Sequence, residues 1–274
     1  MTINCKGILV DLSTPKVMGI LNVTPNSFYD GGKYKNESEI LSQVEKMLVD
    51  GGSFIDIGAY SSKPNAEFVS EQEEISRIIP VVDLVLKHFP DTMLSIDTFR
   101  SKVAKVAIEN GAAIINDISA GNLDDKMLEV IGKYNVPYIM MHMRGNPQTM
   151  QTLTNYEDIV KEMLFYFSER VAKARTFGIN DLILDPGFGF AKTIDQNYEV
   201  FQKMELFKML ELPLLVGISR KSMIYKTLDS TIEKAMNGTT VLNTLALTKG
   251  ANIIRVHDVK EAAECVTLFN KINL

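Results

Sequence analysis

Eight short apolar runs in this chain end in residues that hydrogen-bond or carry charge: Asn22, Asp56 with Gly58, Asp97, Asn116 with Asp117, His142, Asp185, Ser219 with Lys221, and Arg255 with His257. One such residue means little, but the full set describes a polar mouth. Arg255 and His257 are two apart, so they point to one side of a strand end. With Lys63 and Ser62 they suit a phosphate or diphosphate. Asn22 offers an oxygen to Mg2+, a cation that takes few protein ligands and completes its shell with phosphate oxygens. Asp97, Asn116, Asp185 and Lys221 combine two acids, an amide and an ammonium. That set suits a flat, nitrogen-rich heterocycle, and Asp185 can accept two parallel N–H bonds from one ring edge.

Plainer readings stand beside these. Asp56 and Asp117 read first as braces of neighbouring loops. His88 reads as a solvated helix residue, and His142 serves equally well as a structural histidine or a ligand. The turn "DPGFGF" taken alone is explained by glycines that avoid strain. "SRK" taken alone is a solvated basic turn, but its place after the seventh run favours an anion site. The 14 methionines are core filler. Phe28, set among Thr24, Pro25, Asn26, Ser27, Asp30 and two glycines, has no obvious burial partner within its own segment.

The positioning elements follow from the pattern. The runs are Val17–Leu21, Phe54–Ile57, Met93–Ile96, Ala113–Ile115, Tyr138–Met141, Leu182–Leu184, Pro213–Val216 and Asn252–Val256. They are apolar on successive residues, as strands covered on both faces are. Helical patterns lie between them. Ser70-x-x-Glu73, Thr154-x-x-Glu157, Thr193-x-x-Gln196, Ser230-x-x-Glu233 and Asp258-x-x-Glu261 read as capping boxes or close variants. Val200, Phe201, Met204 and Phe207 make one helix face. Gly51, Gly111, Gly178 and Gly250 stand where helices should stop, and Pro80 predicts a kink. Eight strand–helix units in 274 residues predict an α/β protein, a (β/α)8 barrel. An open doubly wound sheet fits the local pattern, but length and repeat count favour the barrel. Residues 1–16 are expected to form a short hairpin or cap, and residues 17–274 the single barrel domain.

Composition narrows the class. Apolar residues make up 46%, enough for a large core, and the formal charge is −5. With no long basic run and no Trp, the chain does not read as a nucleic-acid or membrane-surface binder. Cys5 and Cys265 lack metal-ligand spacing and read as free thiols of a reducing compartment. The first residues lack a signal-peptide core, and no stretch approaches the roughly 18 apolar residues of a membrane span. The expectation is a cytoplasmic protein.

Seven segments, "ILNVTPNSFYDGG", "SIDTFR", "IINDIS", "MHMRGNPQTM", "LDPGFGFAK", "GISRKS" and "RVHDV", together resemble the dihydropteroate synthase family. They occur in the family's order and at sensible spacing, from about residue 17 to the C-terminus. The resemblance implies a pterin-binding barrel of folate biosynthesis and a target of sulfonamides. Such an enzyme condenses 6-hydroxymethyl-7,8-dihydropterin diphosphate with 4-aminobenzoate, by an SN1-like, Mg2+-assisted substitution. It further implies that Asp97, Asn116, Met141, Asp185, Phe190, Gly217, Lys221 and Arg255 bind pterin. Asn22, Ser62, Lys63, Arg255 and His257 would hold the diphosphate, with Mg2+ on Asn22. Phe28, Ser62, Pro64, Phe190 and Ser219 would surround the aminobenzoate, and Asp97, Lys221, Asp30 and Arg255 would serve catalysis. A homodimer is common in the family.

The chain departs from the family's usual pattern in its loops. Asn26 stands where Asp is frequent, although Asp30 is kept. Ser62, Lys63 and Asn65 replace Thr, Arg and Gly. A lysine keeps the charge of arginine but loses its bidentate fork. A competing reading, a pterin-binding methyl-transfer module, shares the deep acids. It has no use for the Phe28 loop, Lys63, or the "SRKS" and "RVH" anion set.

Overall fold

Every apolar run becomes a strand of one parallel sheet. The computed structural model describes residues 1–23, 33–60 and 69–273. Asn26, Phe28, Asp30, Ser62, Lys63, Pro64 and Asn65 lie outside the described residues. After an N-terminal pair, β1 (Thr2–Cys5) and β2 (Ile8–Asp11), come β3 (Lys16–Asn22), β4 (Phe54–Gly58), β5 (Leu94–Asp97), β6 (Ile114–Asp117), β7 (Tyr138–Met141), β8 (Leu182–Asp185), β9 (Leu215–Val216) and β10 (Ile253–Val256). Their order is β8-β7-β6-β5-β4-β3-β10-β9, with every pairing parallel. A parallel bridge between Leu184 and Leu214, with the Leu184 N–H donating to Pro213 O at 2.8 Å, joins the two ends. The sheet is therefore a closed barrel, not an open doubly wound one.

The helices are α1 (Lys33–Val49), α2 (Glu71–His88), α3 (Ser101–Glu109), α4 (Met127–Tyr134), α5 (Ile159–Thr176), α6 (Ile194–Gln202), the short α7 (Ser222–Tyr225), α8 (Met236–Thr248) and α9 (Val259–Asn273). Two capping signals act as expected: Ser70 accepts from the Glu73 N–H, and Thr193 with Gln196 forms the full reciprocal box. The other three do not. Asp158 caps α5, one turn beyond Thr154, and Glu162 reaches back to the N–H groups of Glu157 and Asp158. Ser230 precedes a segment that enters α8 through Ala235, which has no capping side chain. The Asp258 carboxylate is taken by Arg220, at 2.9 Å from Nε and 2.6 Å from Nη2. Helix α2 runs from Glu71 to His88 through Pro80 without a break. Gly51, Gly111, Gly178 and Gly250 follow helix ends with positive φ.

Strand alternation sorts the side chains. Met18, Phe54, Ile114, Ile139, Ile183, Leu215 and Ile253 form one buried cluster inside the barrel. Ile55, Ile115, Met140, Leu184 and Ile254, each one residue later, join the larger cluster shared with the helices. The interior cluster also contains Ile3, Cys5 and Leu12, so the β1–β2 hairpin packs against the barrel's N-terminal end. A buried side chain of this size contributes about 1.5–3 kcal/mol.

Candidate active site at the strand C-termini

One step of strand period beyond that apolar floor, the inward positions change character. Phe54 leads to Asp56, Ile114 to Asn116, Ile139 to Met141, Ile183 to Asp185, Leu215 to Gly217 and Ile253 to Arg255. A period of two keeps each pair on one face of its strand. The C-terminal ends of the strands thus carry Asp56, Asn116, Asp185 and Arg255, with Met141 and Gly217 among them, above a dry floor, where barrel active sites lie.

Arg255 is the hub. Its Nε donates to Asp56 Oδ2 at 2.5 Å and its Nη2 to Asp97 Oδ2 at 2.9 Å. Asn116 Nδ2 donates to the same Asp56 oxygen at 3.0 Å, tying β4, β5, β6 and β10 together. Burial opposes the guanidinium charge, but Asp56 and Asp97 outweigh it and hold Arg255 above its usual range. Burial pushes the Asp97 carboxyl up, to about 7, against the downward pull of Arg255. Asp97 keeps 23% of its side chain exposed, enough to meet a ligand, whereas Asp56 keeps none.

Across the mouth stand Asp185 and Lys221. Burial raises the Asp185 carboxyl, and Lys221 pulls it down. Burial lowers the Lys221 ammonium to about 8, opposed by Asp185. Asp185 Oδ1 accepts from the Gly187 N–H at 2.8 Å, which aims the carboxylate. Lys221 Nζ donates to Phe188 O and lies 5.0 Å from the centroid of the Phe190 ring. Phe190 packs at the edge of an apolar group containing Met141, Ile118 and Met143. This arrangement offers a flat apolar wall beside acids and cations.

Ser219 and His257 form the third side. Ser219 Oγ lies 3.0 Å from His257 Nδ1 and accepts from the His257 backbone N–H at 3.2 Å. Gly58 lies between Asn22 and Asp97: a Cβ there would be 3.9 Å from Asn22 Oδ1 and 3.7 Å from Asp97 Oδ2. An amide oxygen such as that of Asn22 suits a hard cation of the Mg2+ type. Among the described residues no three His, Cys, Asp or Glu side chains form a metal cluster.

Asn22, Asp97, Asn116, Met141, Asp185, Phe190, Gly217, Ser219, Lys221, Arg255 and His257 all sit at this end of the barrel. Asp117 is a brace: it accepts from Ser119 N and Oγ, Gly121 N and Tyr138 OH. Asp56, read from sequence as another brace, is instead bonded to Arg255 and Asn116 at the centre of the site. A charged residue in mid-strand within "FIDIG" was the available signal, because a buried carboxylate needs a partner. His142 resolves as a structural histidine, packed edge-on to Tyr166 and paired with Lys192, a residue that sequence reasoning passed over.

The mouth of this parallel barrel gathers acids, an amide and two cations beside an apolar wall, and the model of the pterin binding enzyme family matches residues 18–257. The chain is 45% identical over 251 residues to a dihydropteroate synthase of Synechocystis, covering 90% of this chain and 86% of that one. The crystal structure of the Yersinia pestis dihydropteroate synthase in complex with a sulfonamide drug superposes with a TM-score of 0.93 at 40% identity, covering 100% and 99% of the two chains. The Xanthomonas albilineans dihydropteroate synthase with 4-aminobenzoic acid gives a TM-score of 0.91 at 32% identity, covering 99% and 98%. The chain belongs to the dihydropteroate synthases, within the pterin-binding enzymes.

Proposed function

We propose that this chain condenses 6-hydroxymethyl-7,8-dihydropterin diphosphate with 4-aminobenzoate, releasing 7,8-dihydropteroate and diphosphate. The observation that carries the proposal is the Arg255 bridge between Asp56 and Asp97, facing Asp185 and Lys221 across one mouth. Asp185 accepts N–H bonds from the pterin edge, with Asn116 and Lys221 beside it and Met141, Gly217 and Phe190 shaping the pocket. Arg255 lies against the pterin and shares the diphosphate with His257. Ser219 and Phe190 border the aminobenzoate. The roles of Phe28, Asp30, Ser62, Lys63 and Pro64 belong to this proposal and rest on the sequence alone.

The substitution is SN1-like. The C–O bond to diphosphate breaks first, and positive charge develops on the pterin-bearing carbon. Asp97, the partly exposed carboxylate, stabilises that charge. Arg255 and His257 stabilise the departing negative charge. Bound Mg2+, held by Asn22 and diphosphate oxygens, would add Lewis-acid neutralisation of the leaving group. The arylamine is already neutral at pH 7, so its nitrogen forms the new C–N bond without a general base to activate it, and the ammonium so formed sheds its proton to solvent or the released diphosphate. Residues 1–16 act as a cap on the barrel domain 17–274, the chain works as a cytoplasmic homodimer, and sulfonamides compete with aminobenzoate. The purified chain with Mg2+ and both substrates is expected to form dihydropteroate, detected by chromatography. Folded protein that yields none at any substrate concentration refutes the proposal.

A further inference from the structure

Lys192 is 4% exposed, yet it carries an ammonium into the protein beside the turn that follows β8. Its Nζ lies 2.9 Å from Gly187 O, 3.0 Å from Phe190 O and 3.1 Å from His142 Nδ1. An ammonium has three N–H donors and no acceptor, so three acceptors satisfy it completely. The third bond requires neutral His142 with its hydrogen on Nε2. Burial, reinforced by Lys192 and Arg144, drives that imidazole towards the neutral form. A buried charge is costly, and burial lowers Lys192 to about 7 although Asp185 opposes the shift.

The turn that Lys192 grips carries the site. Gly187 gives its N–H to Asp185 and its carbonyl to Lys192 and to the Phe190 N–H. Phe188 O goes to Lys221, and the Gly189 N–H to Asn197 Oδ1 at 2.7 Å. Two lysines therefore hold three carbonyls of one turn: Lys221 takes Phe188, and Lys192 takes Gly187 and Phe190. We propose that Lys192 is a positioning residue for the pterin pocket: its ammonium fixes the residue 187–190 turn so that the Asp185 carboxylate and the Phe190 ring present to the ligand. The inference rests on the pterin reading of Asp185 and Phe190.

The test uses the full chain and its Lys192→Met and Lys192→Gln variants. Pterin affinity is read by fluorescence titration with 6-hydroxymethylpterin, KM and kcat from turnover, and folding from thermal melts. Lys192→Met is expected to fold, to bind the pterin at least tenfold more weakly and to raise the KM of the pterin diphosphate similarly. Lys192→Gln, which keeps two N–H donors, should fall between it and the parent. A merely structural lysine would lower kcat with the folded fraction and leave KM and the Kd of the folded molecules unchanged; that result overturns the proposal. Failure of both variants to fold overturns it too, since it assigns the lysine to the core. A parent chain that binds no pterin refutes the underlying reading instead. A parent that binds, with a Met variant that binds equally well, refutes only the positioning role.

Discussion

Lys221 shows how one side chain links burial to chemistry. Its ammonium sits between Asp185, which favours the charge, and burial, which lowers it to about 8 from 10.5. The charged form is lost as pH rises through about 8. The kcat/KM for the pterin diphosphate is therefore expected to fall above about pH 8. Lys221→Arg, whose guanidinium stays charged throughout this range, should move that limb upward. Stability moves the other way. Between about 8 and 10.5 the unfolded chain binds the proton and the folded chain does not, so the contribution of Lys221 to stability rises with pH. A pH–rate profile and denaturant melts across this window check both signs. A pH–rate limb unmoved in Lys221→Arg removes Lys221 from the titrating set.

Strand β8 and the turn beyond it show what an element must supply. Gly187 has φ +65, and a Cβ there would lie 2.2 Å from His142 O. No rotamer relieves a clash with backbone, and the left-handed conformation adds strain. Gly187→Ala is expected to destabilise the fold by about 1–3 kcal/mol. It should also raise the pterin KM, because Asp185 is aimed by the Gly187 N–H. Calorimetry with steady-state kinetics reads both, and unchanged KM would free Asp185 from this turn. The capping signals teach a related lesson. Thr193 and Gln196 satisfy each other locally, so their box survives folding. Asp258 has the same spacing signature, but its carboxylate serves Arg220 and links the loops after β9 and β10.

At the scale of the molecule the two ends of the barrel divide the labour. Chemistry-bearing residues occupy the C-terminal end, and the hairpin of β1 and β2 packs against the N-terminal end. Leu12 is wholly buried in that floor. Leu12→Ala is expected to cost about 2–5 kcal/mol of stability while leaving both KM values unchanged. Urea unfolding and kinetics at saturating Mg2+ measure this. An altered KM would show that the floor and the mouth are coupled.

Sequence alone determined the strand–helix repeat, because doubly covered strands must be apolar on successive residues. It also exposed the ring of polar strand ends, and the motif set marked the family. Their chemistry was legible because it is written in residue type at fixed offsets. Only the tertiary structure decided which face of each strand looks inward, since both faces are apolar and local pattern cannot separate them. Folding into the parallel barrel made that choice. It brought Asp56 from an assumed loop brace to Arg255, a partner 199 residues away. It likewise placed Lys192 against His142, at 50 residues' separation. Such pairs have no local signature, because a buried charge is stable only beside a partner that folding delivers.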